Sequence, residues 1–163
     1  MKIILLSLLL IMTMPLITQA AEVGSPAPDF NLENLSGGET SLGQLKGKVV
    51  FLDFWAPWCT ICREELPELD RLSRKFRQDG LVVIGIDVDD SEAAVKNFLA
   101  KTPLSFTLLI DKRDVMRKKY RFRTLPTAFI IGKDGMIRYV HIGFGNEYLS
   151  LYEREIIELL KQP

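Results

Sequence analysis

The chain has 163 residues, of which 47 % are hydrophobic and 26 % charged, with 21 basic residues balanced by 21 acidic ones. That composition is ordinary for a globular protein, and the length suggests one folded domain. A neutral balance, with no basic cluster interleaved with aromatics, excludes nucleic acid as the expected partner.

The first twenty residues stand apart. Lys2 supplies a positive start, Ile3 to Met12 is almost wholly apolar, Pro15 breaks the run, and Thr18-Gln19-Ala20 leads to a plausible cut. This is the layout of a secretory signal peptide over residues 1–20. The apolar run, about fifteen residues, is short of the roughly 20 that span a bilayer as a helix. Cleavage after Ala20 leaves residues 21–163 as the mature domain; the rival outcome is a retained N-terminal membrane anchor. A lipid-anchored cysteine at the cut is excluded, because the first cysteine is Cys59. The expected location is periplasmic or otherwise extracytoplasmic, where disulfides persist.

Residues 21–48 are rich in Gly, Ser, Pro and Asn, and Ser36-Gly37-Gly38 predicts a small hairpin. Val49 to Trp55 is a continuous apolar run broken only by Asp53, the pattern of a strand buried on both faces. A helical stripe of Leu66, Leu69, Leu72 and Phe76 follows, ended by Gly80. Leu81 to Val88 reads as a second buried strand, and Asp89-Asp90-Ser91 as the start of a helix carrying Ala94, Val95, Phe98 and Leu99. Phe106 to Ile110 reads as a strand and 111–120 as a helix, with the basic run from Arg113 to Arg123 as its solvated face. Thr127 to Ile131 and Met136 to Ile142 flank the turn Lys133-Asp134-Gly135, and 146–161 reads as an amphipathic closing helix. The alternation predicts an α/β fold with parallel neighbours, helices on both faces and an antiparallel edge from the late hairpin.

Both cysteines of the chain, Cys59 and Cys62, fall where the first buried strand gives way to a helix. Chemistry in such sheets collects at the carboxyl ends of strands. Three readings of the pair compete. A structural staple closing so small a loop would remove little entropy from the unfolded chain. A zinc site wants four protein ligands, and there is no second cysteine pair; the one histidine, His141, reads as an ordinary strand residue. A Cu(I) carrier could use two thiolates alone. A reactive pair fits the position better, because helix-start N–H groups and the helix dipole stabilise a thiolate at Cys59. Cys62, one turn on, can attack a mixed disulfide formed by Cys59. Trp58 can shield the pair on one side.

Two acids are candidates for proton transfer. Asp53 lies inside the buried strand, where desolvation would raise its pKa and make it an acceptor for Cys62; the alternative is a partly wet residue near the strand end. Glu65 shares the helix face of Cys62; the alternative is a first-turn acid that only favours the dipole. Arg63 and Glu64 read as solvated. Pro126, in Thr124-Leu125-Pro126-Thr127, has no amide for the sheet and is a candidate cis-proline, which would leave the Leu125 backbone open to an extended substrate.

Taken together, these residues resemble the thioredoxin superfamily. WAPWCTIC with Arg63 and Glu64-Glu65-Leu66-Pro67 behind it resembles the TlpA/ResA-like exported thiol–disulfide oxidoreductases more than classical thioredoxins. So do Gly24-Ser25-Pro26-Ala27-Pro28-Asp29-Phe30, the helix-containing insertion near residues 88–110, and Leu125-Pro126-Thr127. The resemblance spans nearly all of 22–160. It implies a thioredoxin fold with a central mixed sheet flanked by helices and an N-terminal β-hairpin. It implies Cys59 as attacking thiol, Cys62 as resolving thiol, Pro126 as the neighbouring cis-proline and Glu65 as the active-site acid. It further implies disulfide-containing exported proteins as substrates, apocytochromes c among them, and a membrane thiol-transfer protein as electron donor. No cofactor and no metal is implied. Asp53 is a departure: relatives devoted to cytochrome maturation often lack an acid there, which favours a broader reductant. Thr60-Ile61 replaces the Gly-Pro of thioredoxins. Peroxiredoxins carry a threonine three residues before their cysteine, where this chain has Ala56, so a peroxidase is not expected. Within the class the rival is an oxidase or isomerase; outside it, a non-catalytic copper-binding or scaffold module.

Overall fold

The computed structural model describes residues 21–89 and 91–163. The expected signal segment at 1–20, and Asp90 at the expected helix start, lie outside the described residues. Among the described residues, seven strands and four α-helices follow one another as β1 (Asn31–Asn34), β2 (Glu39–Ser41), β3 (Val49–Trp55), α1 (Thr60–Phe76), β4 (Leu81–Asp87), α2 (Glu92–Leu99), β5 (Thr107–Ile110), α3 (Val115–Tyr120), β6 (Thr127–Ile131), β7 (Ile137–Ile142) and α4 (Asn146–Leu160).

The strands form one mixed sheet in the order β2-β1-β5-β4-β3-β6-β7. The βαβ crossovers make β3, β4 and β5 parallel neighbours. The hairpin β6–β7 joins antiparallel to β3, as the turn Lys133-Asp134-Gly135 requires. The N-terminal hairpin joins at the opposite side, β1 running antiparallel to β5. The fold is the α/β, thioredoxin-type mixed sheet that the chain pattern predicts.

Every residue of β3 is buried, because both faces of the sheet are covered. Successive side chains of a strand point to opposite faces. Val49, Phe51 and Trp55 pack in a cluster with Cys62, Leu66 and Leu69 of α1, Val95 of α2, and Tyr152 and Ile156 of α4. Val50, Leu52 and Phe54 pack on the other side with Phe30, Met116, Tyr120 and Phe122. Asp53 has the parity of the first set, so its carboxyl points into the layer beneath α1 and α4.

One local expectation is corrected. The helix expected over 111–120 begins only at Val115, because the buried Asp111 carboxylate reaches forward to accept the N–H groups of Val115 at 3.0 Å and Met116 at 2.7 Å. The basic run is solvated as expected: Arg113, Lys118, Lys119, Arg121 and Arg123 are exposed, and Arg117, half-buried, pairs with Asp114 at 2.9 Å and lies over the Phe122 ring. His141 does lie on a strand, β7, but buried, with Nε2 2.7 Å from the buried Glu155 carboxylate of α4.

Candidate active site

β3 ends at Trp55, and a turn closed by the Cys59 N–H donating to the Ala56 carbonyl at 3.0 Å delivers the chain into α1. Cys59 is the N-cap of that helix. An N-cap side chain ordinarily accepts a free helix-start N–H, and here sulfur does so: Cys62 N–H donates to Cys59 Sγ at 3.2 Å. The two cysteines form a disulfide with Cα atoms 5.3 Å apart. Cys59 keeps 7 % of its surface exposed, whereas Cys62 has 0 %. Only the first sulfur is open to attack by, or on, a macromolecule. Once reduced, Cys59 would have its thiolate held by the N–H groups and dipole of the helix start.

Trp58, expected to shield the pair, stands 66 % exposed beside it, and Ile61 is exposed as well. Trp58 also lines a groove of about 390 Å³ with Arg63, Phe98 and Lys101. Arg63 and Glu64 are exposed, as expected. Antiparallel pairing matches Phe54 with Thr127, so Pro126 falls opposite Trp55, at the end of β3 from which the cysteine turn departs. The Leu125–Pro126 peptide is cis. Leu125 is half-buried against the core clusters of both faces. Another cavity, about 320 Å³ and lined by Leu42, Lys48 and Gly132 among others, sits at the start of β3 and contains neither cysteine nor a buried site acid.

Asp53 and Glu65 each have 0 % of their surface exposed. In register, Asp53 is flanked by Gly85 of β4 and Ala128 of β6, whose small side chains leave room for the carboxyl. Neither oxygen of Asp53 has a hydrogen-bond partner among the described residues. Burial, and then the neighbouring charge of Glu65, push its pKa well above the ordinary carboxylate range. Glu65 lies one turn after Cys62. Burial raises its pKa to about 7, against the lowering effect of a hydrogen bond from Tyr152. That bond, Tyr152 Oη–H to Glu65 Oε1 at 2.8 Å, was not foreseen from the sequence. In the sequence Tyr152 is one position of the amphipathic pattern over 146–161, and a hydroxyl in that pattern is the signal that could have marked it. A carboxyl that titrates near neutrality suits proton transfer, and burial favours the protonated form of Asp53 as well. Among the described residues there is no group of three or more His, Cys, Asp and Glu side chains that could hold a metal ion.

Comparison with known proteins places this arrangement. A family model described as the AhpC/TSA family matches residues 23–140. The thiol–disulfide oxidoreductase ResA of Bacillus thuringiensis subsp. konkukian (strain 97-27) is 40 % identical over 116 residues, covering 71 % of this chain and 67 % of that protein. A Chlorobium tepidum crystal structure, assigned as a thiol:disulfide interchange protein DsbE, superposes with a TM-score of 0.83 at 31 % identity. That match covers 86 % of this chain and 99 % of the other. The exposed lipoprotein thioredoxin of Streptococcus pneumoniae strain TIGR4 superposes with a TM-score of 0.70 at 31 % identity, covering 81 % of this chain and 100 % of that one.

Proposed function

The chain belongs to the AhpC/TSA family and is a thiol–disulfide oxidoreductase of the ResA type, and from that premise we propose that it is an exported reductant of protein disulfides. The observation that carries this reading is the asymmetry of the Cys59–Cys62 disulfide: the first sulfur reaches the surface, and the second is sealed beside two buried acids.

The reaction starts from the dithiol. Cys59 thiolate attacks one sulfur of the substrate disulfide; a new S–S bond forms, the old one breaks, and the released substrate thiolate takes a proton. Cys62 then gives its proton to the Glu65 carboxylate and attacks Cys59 Sγ. The mixed disulfide breaks, the second substrate sulfur leaves as a thiolate that takes a proton from water, and the Cys59–Cys62 disulfide remains. Two electrons have passed to the substrate, and a membrane thiol-transfer protein returns them. Trp58 and the backbone at Leu125, which precedes the buried Pro126, form the rim on which an extended substrate segment rests; exposed apolar surface beside a reactive group favours protein partners over small ones. The signal-peptide layout of residues 1–20 and the likeness to an exposed lipoprotein thioredoxin support export. The substrates are disulfide-containing exported proteins, and the acid at position 53 favours a range wider than apocytochrome c alone.

The test is the reduction potential of the Cys59–Cys62 couple, by equilibration in a thiol redox buffer. The expected value is at or below about −250 mV, in the range of thioredoxin. A value near about −120 mV, that of a strong oxidant, would reverse the direction and make the protein a disulfide donor.

A further inference from the structure

We propose that Tyr152 is a positioning residue for the dithiol chemistry, holding Oε1 of Glu65 so that Oε2 is the oxygen that takes the proton of Cys62. The inference rests on the reading of Glu65 as the proton acceptor and deepens it. Tyr152 comes from α4, 87 residues from Glu65 in sequence, and its hydroxyl donates to Oε1 at 2.8 Å with both side chains wholly buried. Oε2 has no hydrogen-bond partner among the described residues. A carboxylate with one oxygen engaged and the other free has one place to receive a proton.

The donor is itself fixed. The Tyr152 ring stands edge-on to Phe51 at 4.9 Å between centroids and edge-on to His141 at 5.0 Å. Burial, then the charge of Glu65, raise its pKa, so the hydroxyl keeps its proton and remains a donor. The titratable groups around Glu65 and its partner are Cys62 on α1, Asp53 on β3, Tyr148 and Glu155 on α4, and His141 on β7. His141 and Glu155 are paired with each other at 2.7 Å. Tyr152 is therefore the neutral donor to a carboxylate that otherwise faces Asp53.

The step balances simply. The Cys62 S–H bond breaks, an O–H bond forms at Oε2, and the sulfur lone pair forms the S–S bond to Cys59 while the substrate thiolate departs. A hydrogen bond to the ionised form favours that form. Without it, Glu65 should hold its proton to higher pH and be a poorer acceptor near neutrality.

Tyr152→Phe in the full chain tests this, because it deletes the hydroxyl and keeps the ring. Resolution of the mixed disulfide with a disulfide peptide is followed against pH, together with infrared titration of the Glu65 carboxyl in the oxidised protein. Both midpoints are expected to move up by about one pH unit, the size of one charge-assisted hydrogen bond. Glu65→Gln should abolish that limb of the rate profile, and Tyr152→Phe/Glu65→Gln should match Glu65→Gln alone. If Glu65→Gln moves the profile but Tyr152→Phe moves neither midpoint, the role of Tyr152 is overturned while that of Glu65 stands. If Glu65→Gln leaves the rate profile in place, the proton-acceptor reading falls, and the positioning role falls with it. The infrared midpoint does not depend on the direction of electron flow, so a failure of the reductant assignment remains distinct from both.

Discussion

Two carboxylic acids, Asp53 and Glu65, lie fully buried behind the disulfide, and among the described residues neither is in an ion pair. Burial favours their protonated forms, and the consequence for stability has a definite sign. The folded-state pKa of Glu65, about 7, lies above its ordinary 4.5. A group raised on folding contributes stability that is complete below its unfolded pKa and is lost as the pH rises through the folded one. The oxidised protein should therefore lose about 3 kcal/mol of unfolding free energy from this group as pH rises from about 4.5 through 7. Asp53, raised in the same direction, adds to the decline. Urea unfolding at a series of pH values should show the slope, and Glu65→Gln should flatten it. An equally steep slope in the variant would refute this account of Glu65.

At the scale of elements, the site depends on how closely β4 can approach the acid face of β3. Gly85 pairs in register with Asp53, and a Cβ there would lie 2.8 Å from Leu108 Cδ2 and 3.2 Å from both Phe106 and Trp55 Nε1. These atoms belong to buried core side chains that would have to shift to admit a methyl group. Gly85→Ala is expected to destabilise the protein by about 1–3 kcal/mol, the range for overpacking a filled core. Calorimetry of the oxidised form checks it, and an unchanged melting temperature would mean that β4 has slack beside Asp53. A second tie lies along α1, where buried Asp70 accepts both the N–H and the hydroxyl of Ser105, at 2.6 and 2.7 Å. That contact moors the helix bearing Cys62 and Glu65 to the segment entering β5. It is a long-range bond, invisible in the helical periodicity that identifies α1.

At the scale of the whole molecule, the sheet brings three distant segments to one end: the turn after β3, the proline entering β6, and the tyrosine of α4. Export belongs to this scale too. Among the described residues no helix is long and apolar enough to cross a membrane. The full-length chain, expressed with its own N-terminus, is expected to yield an exported product beginning at Ala21. Mass spectrometry of the purified protein checks this, and a product that retains Lys2 would instead mark a membrane anchor.

Much of this was legible in the chain itself. The hydrophobic run of β3, the helix stripe behind it and the turn residues of both hairpins are local patterns, and local patterns specify element type. The cysteines were legible for the same reason, since the strand-to-helix junction that positions them lies within a few residues. The burial of Asp53 followed from its place in an apolar run. Tertiary structure decided the rest. The partner of Glu65 is 87 residues away, the pairing of His141 with Glu155 joins β7 to α4, and the start of α3 is set by an Asp111 carboxylate that reaches forward to its first N–H groups. Periodicity reports which face of an element is apolar, but not which polar atom of a distant element will meet it there. A buried hydroxyl reads as one more apolar position until packing supplies its acceptor, and here that meeting partly offsets the rise that burial imposes on the pKa of Glu65.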